Sequence, residues 1–262
     1  MRVTGVDACR RGWVAVTLEG AGRPAGRPDS TERRGCSARL PGPAHIRVDA
    51  VRVHETLAGV LDRESQRAQR GHRGHRGHRA AAAVVGIDMP LGLLESGWRE
   101  ADLAARGLLG PRRSSVFAIP PRAVWTQASY QAASRLCREL TGQGFSIQAW
   151  GLRAKLLEAG RYRDSCLHPL YEVHPELAFS AMAGAPLAHS KHTVAGRDLR
   201  RELLSRVGIA LPADPARLAP VTDVMDAAAV AWSAWRIAAG RAVVLPAQPQ
   251  HDRHDREIAI RY

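Results

Sequence analysis

The sequence predicts an α/β fold built on a mixed sheet flanked by helices. Three observations predict it. Short apolar runs alternate with amphipathic stretches along most of the 262 residues. The first two runs are joined by a tight turn, which makes a hairpin and sets at least one strand antiparallel. Several runs end on a carboxylate, and acids at strand ends often line the ligand crevice of an α/β sheet.

The opening run Val3-Thr4-Gly5-Val6-Asp7 reads as a buried strand. Ala8-Cys9-Arg10-Arg11-Gly12-Trp13 turns the chain, and Val14-Ala15-Val16-Thr17-Leu18 returns. Residues 20–44, rich in Gly, Pro and Arg, read as a long disordered loop. Residues 46–51 read as a third strand, and a helix starts within 54–61. A second disordered loop is expected near 64–80, where Gly-His-Arg repeats three times over 71–79. His72, His75 and His78 can be read as a metal tract; a tolerated loop expansion explains the repeat more simply.

Ala83-Val84-Val85-Gly86-Ile87-Asp88 reads as another strand, stopped by Pro90. An excursion over 92–165 follows. It carries helices at 98–109, 130–140 and 147–158, and an Arg- and Ser-bearing loop at 110–122. Its size predicts a helical insertion, a lid or subdomain, on one domain spanning 1–262. Leu170-Tyr171-Glu172-Val173-His174 reads as a short strand broken by Pro175, with Glu176 starting a helix. Helices at 198–207 and 223–239 and an edge strand at 257–261 complete the chain.

Composition narrows the function. No apolar run reaches about 18 residues, so no membrane span is expected. Met1-Arg2 leads straight into the first strand, which leaves no room for a secretion signal. Cys9, Cys36, Cys137 and Cys166 form no CxxC pair, which argues against zinc and for reduced thiols in a cytoplasm. The formal net charge of +13 attracts nucleic acid and other phosphates. Residues 63–79 supply six arginines against one glutamate, yet the rest of the chain is still basic. All but two of the 38 cationic residues are Arg, a skew that fits coding bias. Aromatic residues are few and not interleaved with basic ones, so the sequence offers no single-strand stacking platform.

The acids carry the chemistry. Asp223 and Asp226 open an alanine-rich stretch and share a helix face, one turn apart. Capping and a favourable helix dipole would account for the pair as well as a metal would. Asp7, Asp88 and Glu172 end apolar strands. Gathered together, these acids would repel unless a cation neutralised them, and Mg²⁺ or Mn²⁺ prefers oxygen ligands. Arg112, Arg113, Ser114 and Ser115 form the best phosphate contact, though a solvated turn would account for them equally. Arg10 follows the first acid by three residues, within reach of the same phosphate. Lys155 and Lys191, the only lysines, are candidates for contacts that need a compact charge; chance retention explains them equally. His174 and His189 are acid–base candidates. Ser114 and Ser115 lack the His and Asp partners of a nucleophile.

These motifs resemble those of one family. Gly5-Val6-Asp7-Ala8-Cys9-Arg10, Gly86-Ile87-Asp88-Met89-Pro90-Leu91-Gly92-Leu93, Gly110 to Phe117 and Pro120-Pro121-Arg122 occur in its order. So do Glu172-Val173-His174-Pro175-Glu176, His189-Ser190-Lys191 and Asp223-Val224-Met225-Asp226-Ala227. The chain is thereby similar to domain of unknown function 429, described as predicted nucleases of ribonuclease H-like fold. Holliday-junction resolvases of the wider superfamily share the first-strand Asp and the Asp-x-x-Asp-Ala helix start. The resemblance implies a mixed five-stranded sheet with an extra C-terminal edge strand.

It also implies a two-metal Mg²⁺ or Mn²⁺ site on Asp7, Asp88, Glu172, Asp223 and Asp226, with Asp7 bridging. Asp7, Asp88, Glu172 and Asp226 would then be catalytic. Arg10, Arg112, Arg113, Ser114, Ser115, Arg122, Lys155 and Lys191 would contact substrate. The expected activity is phosphodiester hydrolysis in a nucleic acid. The alternatives are a metal-dependent hydrolase of a small phosphorylated or nucleotide substrate, and a non-catalytic nucleic-acid-binding module. The chain departs from the family pattern at Ala8, Met89, Ala118 and Thr222, none a candidate ligand.

Overall fold

The computed structural model describes residues 1–21, 46–72, 84–165 and 169–262. The expected loop at 20–44 beyond residue 21, most of the Gly-His-Arg repeat, Cys36 and Cys166 lie outside the described residues, and Gly20 still belongs to a strand. Strand β1 (Arg2–Cys9) is buried from Val3 to Asp7 and pairs antiparallel with β2 (Gly12–Gly20). Only Arg10 and Arg11 separate them. Gly12 makes the turn possible: its φ is +132°, and a Cβ there would lie 2.1 Å from the His54 carbonyl. β3 (Ile46–His54) continues the meander on β2. Helix α1 (Leu57–His72) runs past residue 64, where the second loop was expected to begin.

β4 (Val84–Ile87) then lies parallel to β1 on its other side. The excursion holds α2 (Glu100–Leu109), a 3₁₀ turn at Gly110–Ser115, α3 (Arg122–Trp125), α4 (Tyr130–Thr141), α5 (Ile147–Gly151) and α6 (Arg153–Ser165). The single helix expected at 147–158 is two, broken beyond Gly151. Ser129 and Ser146 cap α4 and α5 through their hydroxyls.

β5 (Leu170–Glu172) pairs parallel with β4, so the sheet order is β3-β2-β1-β4-β5. This is the expected mixed five-stranded sheet. α7 (Pro175–Ala183), α8 (Val194–Arg206), a 3₁₀ turn at Pro215–Arg217 and α9 (Val221–Ala238) follow. The last strand corrects an expectation in detail: β7 (Glu257–Arg261) pairs with β6 (Val244–His251) in a separate two-stranded sheet. It meets the main sheet through one parallel bridge, Val173 to Arg261. β6 escapes sequence reading because Pro246 and Pro249 interrupt it.

α9 covers one face of the sheet and is buried from Val224 to Trp235. Its alanines let it approach closely: a Cβ on Gly5 would sit 2.1 Å from the Ala231 nitrogen and 2.2 Å from the Ala227 oxygen. α7 and α8 complete that layer, with Phe179, Leu203 and Leu204 in its core. On the other face Val6, Trp13 and Ile87 pack with Leu57 of α1 and with Trp125, Cys137 and Leu156 of the excursion. No helix among the described residues is long and apolar enough to cross a membrane.

Candidate functional site

Strands β1, β4 and β5 run parallel, so their C-terminal ends open on one side. Asp7 stands near the end of β1, Asp88 follows β4, and Glu172 ends β5. The N-terminal turns of α9 bring Asp223 and Asp226 over the same edge. All five line one cavity of about 520 Å³. The opposite wall comes from the first 3₁₀ turn, with Arg112, Ser114 and Ser115, and from the Ser190-Lys191-His192 loop before α8.

Charge is crowded here. The Asp7 carboxyl is held well above its usual range, first by burial and then by Asp88 and Asp226. Asp88 is pushed up to about 7 by burial and by the negative charge of Asp226. Asp7 and Asp88 are close enough that each charge bears on the other. Asp226, 2% exposed, is raised by burial, which outweighs the pull of Lys191. Burial also raises Asp223, whose carboxylate accepts a 3.1 Å bond from the Thr222 hydroxyl. One ammonium answers these acids. Lys191 Nζ donates to Asp226 Oδ2 at 2.6 Å, and Asp226, Asp7 and Asp88 together raise its pKa against burial.

Glu172 is differently engaged. Its Oε1 accepts from Arg99 Nη2 at 2.5 Å, and its Oε2 accepts from the Leu91 amide at 2.7 Å. Arg99 also lies 3.4 Å from Asp102, so a buried Arg serves two buried acids. Asp102 accepts from the Ile119 amide and is pushed up to about 7, chiefly by burial. Glu176, in the first turn of α7, joins Arg112 at 3.1 Å and Arg200 at 2.6 Å. His174 precedes that helix at its N-cap position without a side-chain capping bond, and its Nε2 lies 3.1 Å from the Ser115 carbonyl. A carbonyl only accepts, so Nε2 carries the proton and Nδ1 the lone pair. Burial lowers its pKa and keeps the ring neutral.

The family model described as protein of unknown function (DUF429) matches residues 5–251. The chain belongs to that family. No curated protein matches it. A solved structure, RuvC from Thermus thermophilus, is 13% identical with a TM-score of 0.33. That match covers 92% of this chain and 98% of the RuvC chain. At that distance the likeness says nothing of chemistry.

In this DUF429 protein the cavity gathers Asp7, Asp88, Glu172, Asp223, Asp226, Arg112, Ser114, Ser115 and Lys191. Four other candidates lie outside its lining. Arg10 and Arg113 are exposed. Arg122 pairs with Glu95 at 2.9 Å. Lys155 sits 4.4 Å from the centre of the Trp13 ring, beside Glu158. His189 is also outside; its carbonyl accepts from Arg200. Sequence reading missed Asp102 and His192, which line the cavity, and Arg99, which holds Glu172. Asp102 looks like an ordinary charge on an amphipathic helix, and nothing local marks Arg99.

The donors at Asp7, Asp88 and Asp226 fit a hard divalent cation in kind: oxygen-bearing, short of positive charge, and buried at Asp7 and Asp226 with Asp88 partly exposed. Among the described residues no three His, Cys, Asp or Glu side chains already form a ligand shell. The Lys191 ammonium stands as the cation beside Asp226.

Proposed function

We propose that this DUF429 protein is a divalent-metal-dependent phosphodiesterase acting on nucleic acid. One observation carries the reading. Asp7, Asp88 and Asp226 come from three separate elements, converge in one cavity, and face a single ammonium there. Stacking buried carboxylates costs stability, and a bound cation is the usual compensation. Asp7, Asp88 and Asp226 would hold Mg²⁺ or Mn²⁺, with Asp223 at the rim. Bound there, such ions activate water and stabilise the leaving oxygen of a phosphodiester.

The chain's own groups do the rest. Lys191 is 35% exposed at its side chain, so it can leave Asp226 and turn its charge to a phosphate oxygen. Ser114 is exposed on the cavity wall, and its hydroxyl has no partner among the described residues. It is free to donate to the same phosphate. Arg112 adds positive potential while tied to Glu176. Glu172, with both oxygens bonded, positions the Leu91 turn beside Asp88 instead of holding metal. The net charge of +13 favours a polyanionic substrate.

The test pairs Mn²⁺-dependent cleavage of single-stranded, duplex, hybrid and junction substrates with melting curves in Mn²⁺ and in chelator. Cleavage by the wild type and none by Asp7→Asn supports the reading. Stabilisation by Mn²⁺ without polymer cleavage would move it to a small phosphorylated substrate. Neither stabilisation nor cleavage would leave a binding module.

A further inference from the structure

A second cavity, of about 700 Å³, adjoins the acidic one. Trp98, Leu103, Phe117, Phe145, Gln143 and Gln148 line it. Ser114 and Phe117 line both cavities and form the wall between them. Arg106 fastens this wall, donating to the Arg113 and Val116 carbonyls at 3.3 and 2.6 Å.

Two of its rings stand apart from the paired rings of the chain. Trp125, Tyr130, Phe145 and Trp150 pack on one another. Trp13, Phe179, Trp232 and Tyr171 each face a cation. Trp98 and Phe117 are partly exposed and have neither kind of partner among the described residues. Phe145, 8% exposed, closes the cavity from the side of the buried aromatic cluster. Leu103, 50% exposed, gives it an apolar rim. At the mouth, the exposed side-chain amides of Gln143 and Gln148 make no hydrogen bond to described residues.

Partly exposed rings, packed on the core by one side and bordered by free amide donors and acceptors, suit a flat heteroaromatic with a polar edge. The geometry points to a base-binding subsite: the Trp98–Phe117 cavity takes the nucleobase next to the phosphodiester held in the acidic cavity. The inference rests on the phosphodiesterase reading and narrows its substrate. A base can enter only when it is out of the helical stack, so the strand bound here is single, frayed or locally opened. Ser114 stands on the shared wall, where the phosphate joining the two subsites would pass.

The experiment needs no turnover. Anisotropy in EDTA compares full-length protein on a short labelled thymidine strand and on an abasic strand of the same length and charge. Stacking makes the base-bearing strand bind about tenfold tighter. Trp98→Leu should remove most of that gain, and Gln148→Ala part of it, with abasic affinity unchanged in both. Trp98 also packs on the core, so the exposed Gln148 and the wild-type comparison keep the test decisive if Trp98→Leu folds poorly. Equal affinity for the two strands, no binding of either, or a gain untouched by both variants would overturn the inference. Cleavage with base-indifferent binding would remove the subsite and leave the phosphodiesterase. Base-dependent binding without any metal-dependent cleavage would do the reverse.

Discussion

Replacing Lys191 by Met should lower stability at neutral pH and raise divalent-cation affinity. Met keeps an apolar stem and removes the ammonium that sits 2.6 Å from Asp226. Stranding one partner of a fully buried ion pair costs about 3–5 kcal/mol. Lys191 is 35% exposed at its side chain, so solvent already screens it. About 2 kcal/mol is the discounted figure, or a Tm lower by about 4–8 °C for a chain of this size.

The pH dependence has a definite sign. The Lys191 pKa is raised, so its contribution is complete below the ordinary ammonium value of 10.5 and lost only in strong alkali. On the acid side its partners disappear. Asp88 takes up its proton near 7, and Asp7 and Asp226 are raised by burial as well. The gap between wild type and Lys191→Met should therefore be widest near about pH 8 and shrink toward about pH 5. Removing the competing ammonium should tighten Mn²⁺ about tenfold, equivalent to about 1.4 kcal/mol of additional stabilisation at saturation. The assay is calorimetric melting at both pH values, with and without Mn²⁺. An equal loss at both would mean that only the stem matters, and no loss would mean that the ammonium does not serve Asp226.

Three further outcomes are expected. Asp7→Asn should abolish hydrolysis yet melt higher than wild type in chelator, because burial, Asp88 and Asp226 all oppose its charge; a lower Tm would mark a structural Asp. Glu172→Gln should cost about 3 kcal/mol by leaving Arg99, 1% exposed, short of a charge partner. Its Mn²⁺-induced shift should persist, and losing that shift with little change in chelator would make Glu172 a metal ligand instead. Gly5→Ala should largely prevent folding, judged by circular dichroism, since the new Cβ would strike α9 backbone at 2.1 and 2.2 Å; a mild effect would refute the packing of α9 on β1.

What the sequence revealed follows from burial. β1, β2 and β4 announce themselves because their apolar runs are buried on both faces, and α9 because its alanine stretch is buried nearly throughout. β6 does not, since two prolines hide a half-exposed strand. The 147–158 stretch reads as one helix because a single Gly151 is a weak breaker. Among the site residues, acids at strand ends are legible because topology sends such ends to one edge. Partners are not. Arg99 reaches Glu172 across 73 positions, and Lys191 reaches Asp226 across 35, with no local pattern to mark either. The aromatic cavity was invisible for the same reason: the rings of Trp98, Phe117 and Phe145 meet only in the fold.

Small residues explain why the acids are together at all. Gly5 admits the backbone of α9 at Ala227 and Ala231, and Gly86 lies under Val230. Residues two apart on a strand share a face, so Asp7 and Asp88 project beside α9, each two positions beyond a glycine. Asp226 precedes Ala227 by one residue and Val230 by a turn. Core packing of glycine against alanine thus sets the distance between three carboxylates, and no attraction among them is needed. Their repulsion is opposed by apolar burial over the length of α9 and cannot relax without unseating it. Lys191 offsets one charge from a polar loop on the cavity wall, outside helix and strand. On the metal-dependent reading, a cation that displaced it would take its ligands from the strand ends and the start of α9. Metal affinity should therefore respond strongly to Lys191→Met and to changes at the three acids, and weakly to changes in the exposed arginines Arg10 and Arg113.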